Sequence, residues 1–68
     1  MNELLREKFR VMYLTGGTGI IEKKGNKTET IRSSTLRFSP DGKTITAETE
    51  RGEKITLSSR DITDAHPS

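Results

Sequence analysis

Cysteine and tryptophan are absent from this chain, and histidine occurs once, at His66. Without cysteine there is neither a disulfide framework nor a thiolate metal site, an absence that fits a reducing compartment. A single histidine leaves no pair of imidazoles at metal-ligand spacing. Aromatics are almost missing as well: Phe9, Tyr13 and Phe38 are the whole set. No stretch approaches the roughly 18 apolar residues that a membrane span requires. The first residues carry charge at Glu3, Arg6, Glu7, Lys8 and Arg10 instead of the apolar run of a secretory leader. The expectation is a cytoplasmic protein with no membrane segment, no metal and no cofactor.

What is present is small and hydrophilic. In 68 residues only 28% are hydrophobic, near the size at which one core supplies about 3–5 kcal/mol. Such a chain is expected to gain stability by forming a homo-oligomer. Its net charge of +2 conceals an asymmetry. Residues 1–38 hold eight Lys and Arg against four Asp and Glu, whereas residues 39–68 hold four against six. A basic front half points to an anionic partner.

Along the chain, Asn2 is placed to cap a short helix over about residues 3–8, with Leu5 and Phe9 on one face. From Phe9 the pattern turns to alternation, Phe9, Val11 and Tyr13 against Met12 and Leu14, which predicts a strand ended by Thr15-Gly16-Gly17-Thr18-Gly19. Ile20-Ile21 opens a second extended piece leading into a charged turn at Lys23-Lys24-Gly25-Asn26-Lys27. The apolar phase then switches between Ile31 and Leu36, so Ser33-Ser34 is expected to hold a bulge or sharp bend. Ser39-Pro40-Asp41-Gly42 is a hairpin turn between alternating segments. Arg51-Gly52 makes the next turn, and Ile55 and Leu57 are expected to face inward. Ser58-Ser59-Arg60-Asp61 reads as one helical turn before a last short strand at Ile62. The fold class is therefore mainly β: a small bent-sheet barrel of about five to six antiparallel strands with a short N-terminal helix. Residues 1–65 form this single domain, and residues 66–68 a frayed tail.

The chemistry this layout offers is limited. His66 in a tail has neither a fixed orientation nor a partner for general-base work. Glu48, Glu50 and Glu53 gather around the Arg51-Gly52 turn beside Lys54, an arrangement typical of a solvated ion-pair rim. Neither Ser33-Ser34 nor Ser58-Ser59 has the glycine flanks of a nucleophile elbow. Gly16-Gly17-Thr18-Gly19 is followed by strand, not by the helix that a phosphate loop opens. No catalytic residue is expected. Arg10, Lys23, Lys24, Lys27, Arg32 and Arg37 are available to phosphates, and Tyr13 is the one ring available for stacking, Phe9 and Phe38 being assigned to the core.

Leu5-Arg6-Glu7-Lys8 followed by Val11-Met12-Tyr13-Leu14 and Gly16 resembles the helix and first strand of Sm-like proteins, particularly the bacterial Hfq RNA chaperones. Ile55-Thr56-Leu57, a turn and Ile62 resemble their last two strands. The resemblance implies a bent five-stranded barrel, ring assembly through strand edges, and RNA binding on the ring. Where those proteins carry a Tyr-Lys-His run, this chain has Ser58-Ser59-Arg60, which leaves Arg60 as the contact. The leading reading is a non-enzymatic module that binds nucleic acid, RNA ahead of DNA, through Lys23, Lys24, Lys27, Arg32, Arg60 and Tyr13. The alternative is a small phage- or plasmid-type regulator that docks on a host protein through a sheet edge or the acidic rim.

Overall fold

The computed structural model describes residues 1–68. One helix, α1 (Glu3–Thr15), precedes six strands: β1 (Thr18–Lys23), β2 (Lys27–Arg32), β3 (Arg37–Phe38), β4 (Thr44–Glu48), β5 (Lys54–Ser58) and β6 (Ile62–Pro67). The class is mainly β and antiparallel, as the sequence predicts. The strands form two three-stranded sheets, ordered β2-β1-β6 and β3-β4-β5.

The helix is twice the predicted length. Asn2 caps it, its Oδ1 accepting the Leu5 N–H at 2.8 Å, a contact that contributes about 1 kcal/mol. No glycine or proline interrupts the chain until Gly16, and Leu, Met, Arg, Glu and Lys dominate it, all good helix formers. Leu5, Phe9 and Met12, spaced i, i+4 and i+7, are the residues α1 buries. The alternation at 9–14 that predicts a strand is a short run, and the longer helical period from Leu5 wins over it. The helix stops where Gly16 and Gly17 take φ of 74° and 64°, the left-handed region glycine enters without steric cost.

β1 and β2 form a hairpin closed by Lys24-Gly25-Asn26, in register from Thr18↔Arg32 to Lys23↔Lys27. β6 pairs with the other edge of β1, Ile21 opposite Ala65 and Glu22 opposite Asp64. The predicted tail at 66–68 is thereby corrected. His66 and Pro67 are strand residues, and the Ser68 N–H donates to the Thr18 carbonyl at 3.1 Å. The cause is tertiary: β1 is the central strand of its sheet, and Ala65 is small enough to bury there beside Ile21.

The phase switch at Ser33-Ser34 is a single 3-10 turn, Ser33–Thr35, which carries the chain from one sheet to the other. The Ser39–Gly42 turn closes the β3–β4 hairpin, with Gly42 at φ 71° and the Asp41 carboxylate accepting the Ser39 hydroxyl at 2.5 Å and the Lys43 N–H at 2.9 Å. A second 3-10 turn, Ser59–Asp61, links β5 to β6 where the sequence predicts one helical turn. These two turns also explain why the sheets do not close into a barrel. They interrupt the ladder between β2 and β3 and between β5 and β6, and apart from them one isolated bridge, Ile31↔Thr49, joins the sheets. The core between helix and sheets is Leu5, Phe9, Met12, Ile21, Ile31, Leu36, Ile45, Ala47, Ile62 and Ala65, with Ile55 and Leu57 half-buried against it.

Candidate nucleic-acid interface

The basic residues singled out in the sequence do not converge. Lys23, at the end of β1, is ion-paired with Glu29 at 2.9 Å. Lys24 and Lys27 are exposed at the β1–β2 turn. Arg32, the last residue of β2, donates from Nη2 to the Glu50 carbonyl at 2.9 Å. Beside this end of the molecule lies a hollow lined by Glu29, Glu50 and Glu53 with Arg51, which repels a polyanion. Arg60 sits on the second 3-10 turn in a separate hollow with Lys43.

Tyr13 belongs to a different assembly, built where α1 passes β3. Arg6, Arg10 and Tyr13 follow one another at i, i+4 and i+7 on α1, a spacing that puts them on one helix flank. Facing them are Leu36, Arg37 and Phe38. Together with Phe9 these residues line an open groove of about 680 Å³. Phe9 forms its floor at 0% exposure, while Tyr13 and Phe38 remain 48% and 46% exposed. The Phe9 and Phe38 rings meet edge to face, centroids 5.6 Å apart and planes at 82°. That contact contributes about 0.5–1.5 kcal/mol beyond burial and holds the outer ring in one orientation.

The groove is cationic as well as aromatic. None of Arg6, Arg10 and Arg37 takes part in an ion pair, and no acidic side chain lines the cleft. Arg37 is oriented by its own backbone: Nη1 donates to the Leu36 carbonyl at 2.7 Å and to the Ser34 carbonyl at 3.2 Å. Each guanidinium keeps donors for a bidentate contact with phosphate or carboxylate. Sequence reasoning reaches Tyr13, Arg10 and Arg37 but misses Arg6 and assigns Phe38 to the core. The signal for Arg6 is its helical spacing to Arg10 and Tyr13, which is hidden as long as residues 9–14 are read as strand.

A second cluster lies on the β1–β6 sheet. Donor atoms of Glu22, Asp64 and His66 fall within 4.8 Å of one another, so His66 does acquire partners, contrary to its expected place in a tail. Its Nε2 is 2.9 Å from Glu22 Oε2 and its Nδ1 is 3.0 Å from the Pro67 carbonyl. The Pro67 carbonyl first, then Glu22, raise the imidazole pKa above its ordinary value. Lys8 reaches from α1 to Asp64 at 2.7 Å, and this bond is the main cause that lowers the Asp64 carboxyl. The protein's own ammonium thus offsets the Asp64 charge, and the imidazole is the partner of Glu22, so the cluster ties α1 to β6 and β6 to β1. Gly16–Gly19 leads directly into β1, so the glycine run ends a helix instead of opening one. No helix of the protein is long and apolar enough to cross a membrane.

No protein-family model, curated protein or solved structure matches the chain.

Proposed function

We propose that this protein is a non-enzymatic module that binds single-stranded nucleic acid, RNA ahead of DNA, in the groove between α1 and β3. The observation that carries the reading is the pairing of two half-exposed rings, Tyr13 and Phe38, with three arginines that have no acidic partner. Bases stack on exposed aromatic faces at about 1–3 kcal/mol each, and guanidinium groups take the phosphates between them. A duplex hides its base faces, so an unpaired strand is the form that uses both features. The preference for RNA rests on the Sm-like resemblance of the chain's ending. Ile55-Thr56-Leu57 lies in β5, a 3-10 turn follows, and Ile62 opens β6. The segment Val11–Leu14, which the same resemblance set on a first strand, is helical.

The test is fluorescence anisotropy with a labelled oligouridylate and its deoxy counterpart at low and moderate salt. Binding is expected at low salt and weakens as salt rises, with a slope of log K against log salt of about −0.7 per phosphate contact. Tyr13→Ala should weaken binding about 5- to 160-fold, the equivalent of one lost stack. Changing Arg6, Arg10 and Arg37 to Ala should flatten the salt slope by about 2. Lys23, Lys24 and Lys27 to Ala should do much less. No binding at low salt, or groove variants that bind like the parent, would sink the proposal; in that event a protein partner becomes the better reading.

A further inference from the structure

We infer that the bound strand does not end in the groove but continues across the end of the β3-β4-β5 sheet into a second cationic hollow, where Lys43 and Arg60 take its next phosphates. This rests on the reading of the groove as a single-strand site and extends it to a track with two parts.

The second hollow has a volume of about 620 Å³, and Asn2, Lys43, Arg60, Thr44, Ser58 and Ser59 supply its polar lining. It contains two cations and three hydroxyls and no acidic side chain, and neither Lys43 nor Arg60 is ion-paired. The backbone holds these groups together. The Ser59 N–H donates to the Lys43 carbonyl at 2.9 Å, tying the 3-10 turn that bears Arg60 to the residue that bears the other cation. Thr44 and Ser58 are register partners on β4 and β5.

Strand register also connects the two hollows. Phe38, in the groove, pairs with Ile45, and Thr44, the residue before Ile45, lines the second hollow. The Ser39 N–H donates to the Thr44 carbonyl at 3.0 Å, so the chain following Phe38 lies against the chain that bounds the next site. From β3 to β5 is two strand spacings, roughly 10 Å, a gap that an extended nucleic-acid strand bridges. On this path Phe38 holds a base, the connecting backbone passes the Thr44–Ser58 pair at the end of the sheet, and Arg60 and Lys43 receive the phosphates beyond. Arg60 thereby acts at the far part of a site whose near part is Tyr13.

The experiment compares labelled oligouridylates of three and eight nucleotides on the intact protein, with Lys43→Ala/Arg60→Ala as the variant and circular dichroism as a check that it folds. Both side chains are exposed, so the fold should survive. The expected result is that the octamer binds at least about 10-fold tighter than the trimer. The double variant should remove that advantage while leaving trimer affinity unchanged, and should lower the octamer's salt slope by about 1.4, two contacts at 0.7 each. An octamer no tighter than the trimer, or a length advantage that the double variant keeps, overturns the track and leaves the groove standing. If neither oligonucleotide binds, the groove reading fails and the track with it.

Discussion

At Gly19 the absence of a side chain is a packing requirement. A Cβ there would lie 2.4 Å from Met12 Sδ and 2.5 Å from Met12 Cγ, and Met12 is itself fully buried, so it has little room to yield. Gly19→Ala should destabilise the fold by about 1–3 kcal/mol through overpacking. Met12→Ala costs about 2–5 kcal/mol by itself, but in a chain that carries it the Gly19→Ala change should cost less than it does alone. Urea midpoints of the two single variants and the double variant measure the coupling; strict additivity would mean that the two positions do not touch. Ser33 presents the opposite case. Its Oγ is buried without a hydrogen-bond partner, and such a hydroxyl costs about 1–3 kcal/mol in lost hydration. Ser33→Ala should therefore leave stability unchanged or raise it by up to about 1 kcal/mol. A clear loss in the unfolding midpoint would show that the hydroxyl has a buried partner. Neither environment can be read from sequence, because a glycine before Ile20-Ile21 and a serine at a bend look like ordinary turn chemistry.

The elements were legible where the signal was local. The Ser39–Gly42 and Arg51-Gly52 turns, the bend at Ser33-Ser34 and the helical turn before Ile62 all follow from residues within a few positions of the feature. Two elements depart from the local pattern because their cause lies elsewhere in the chain. Residues 9–14 satisfy both a strand and a helix pattern over so short a span, and burial of Leu5, Phe9 and Met12 together decides for the helix. Residues 64–67 form a strand because β1 has a free edge, which the local sequence does not reveal. The length of α1 also decides the site: Arg6, Arg10 and Tyr13 share a flank only when the helix runs through Tyr13, which a helix ending near residue 8 does not provide. The same two elements carry a pH dependence. His66 has a raised pKa when folded, so its contribution is present below its ordinary value near 6.5 and is lost as pH rises through the raised one. Asp64 is lowered, so its contribution is present above about 3.8 and is lost as pH falls through the lowered value. Thermal midpoints should be highest between those limits and decline slightly on both sides. His66→Gln should abolish the alkaline decline and leave the acidic one; an unchanged alkaline limb would assign it to another group. Both groups are solvated, so the amplitudes are small.

For the whole molecule, the question that remains is what covers its exposed apolar surface. The accessible area is 4603 Å², against about 4,300 Å² for a monomeric protein of this mass. Leu4, Val11 and Leu14 stand out, exposed on α1 at 68%, 46% and 71%. Their spacing, i, i+7 and i+10, places them in one stripe on the helix surface away from Leu5, Phe9 and Met12. We propose that the homo-oligomer expected from the composition uses this stripe as its contact, which leaves Arg6, Arg10 and Tyr13 on the neighbouring flank open to ligand. Light scattering is expected to give a solution mass of at least twice 7.6 kDa. Leu4→Ser with Leu14→Ser should move it towards the monomer without weakening binding of a trinucleotide by more than about 2-fold, since neither leucine lines the groove. A monomer at micromolar concentration would overturn the assembly and leave the groove reading intact. A mass unaffected by the two serines would place the contact elsewhere, on the edge strands β2, β3, β5 and β6 of the two open sheets.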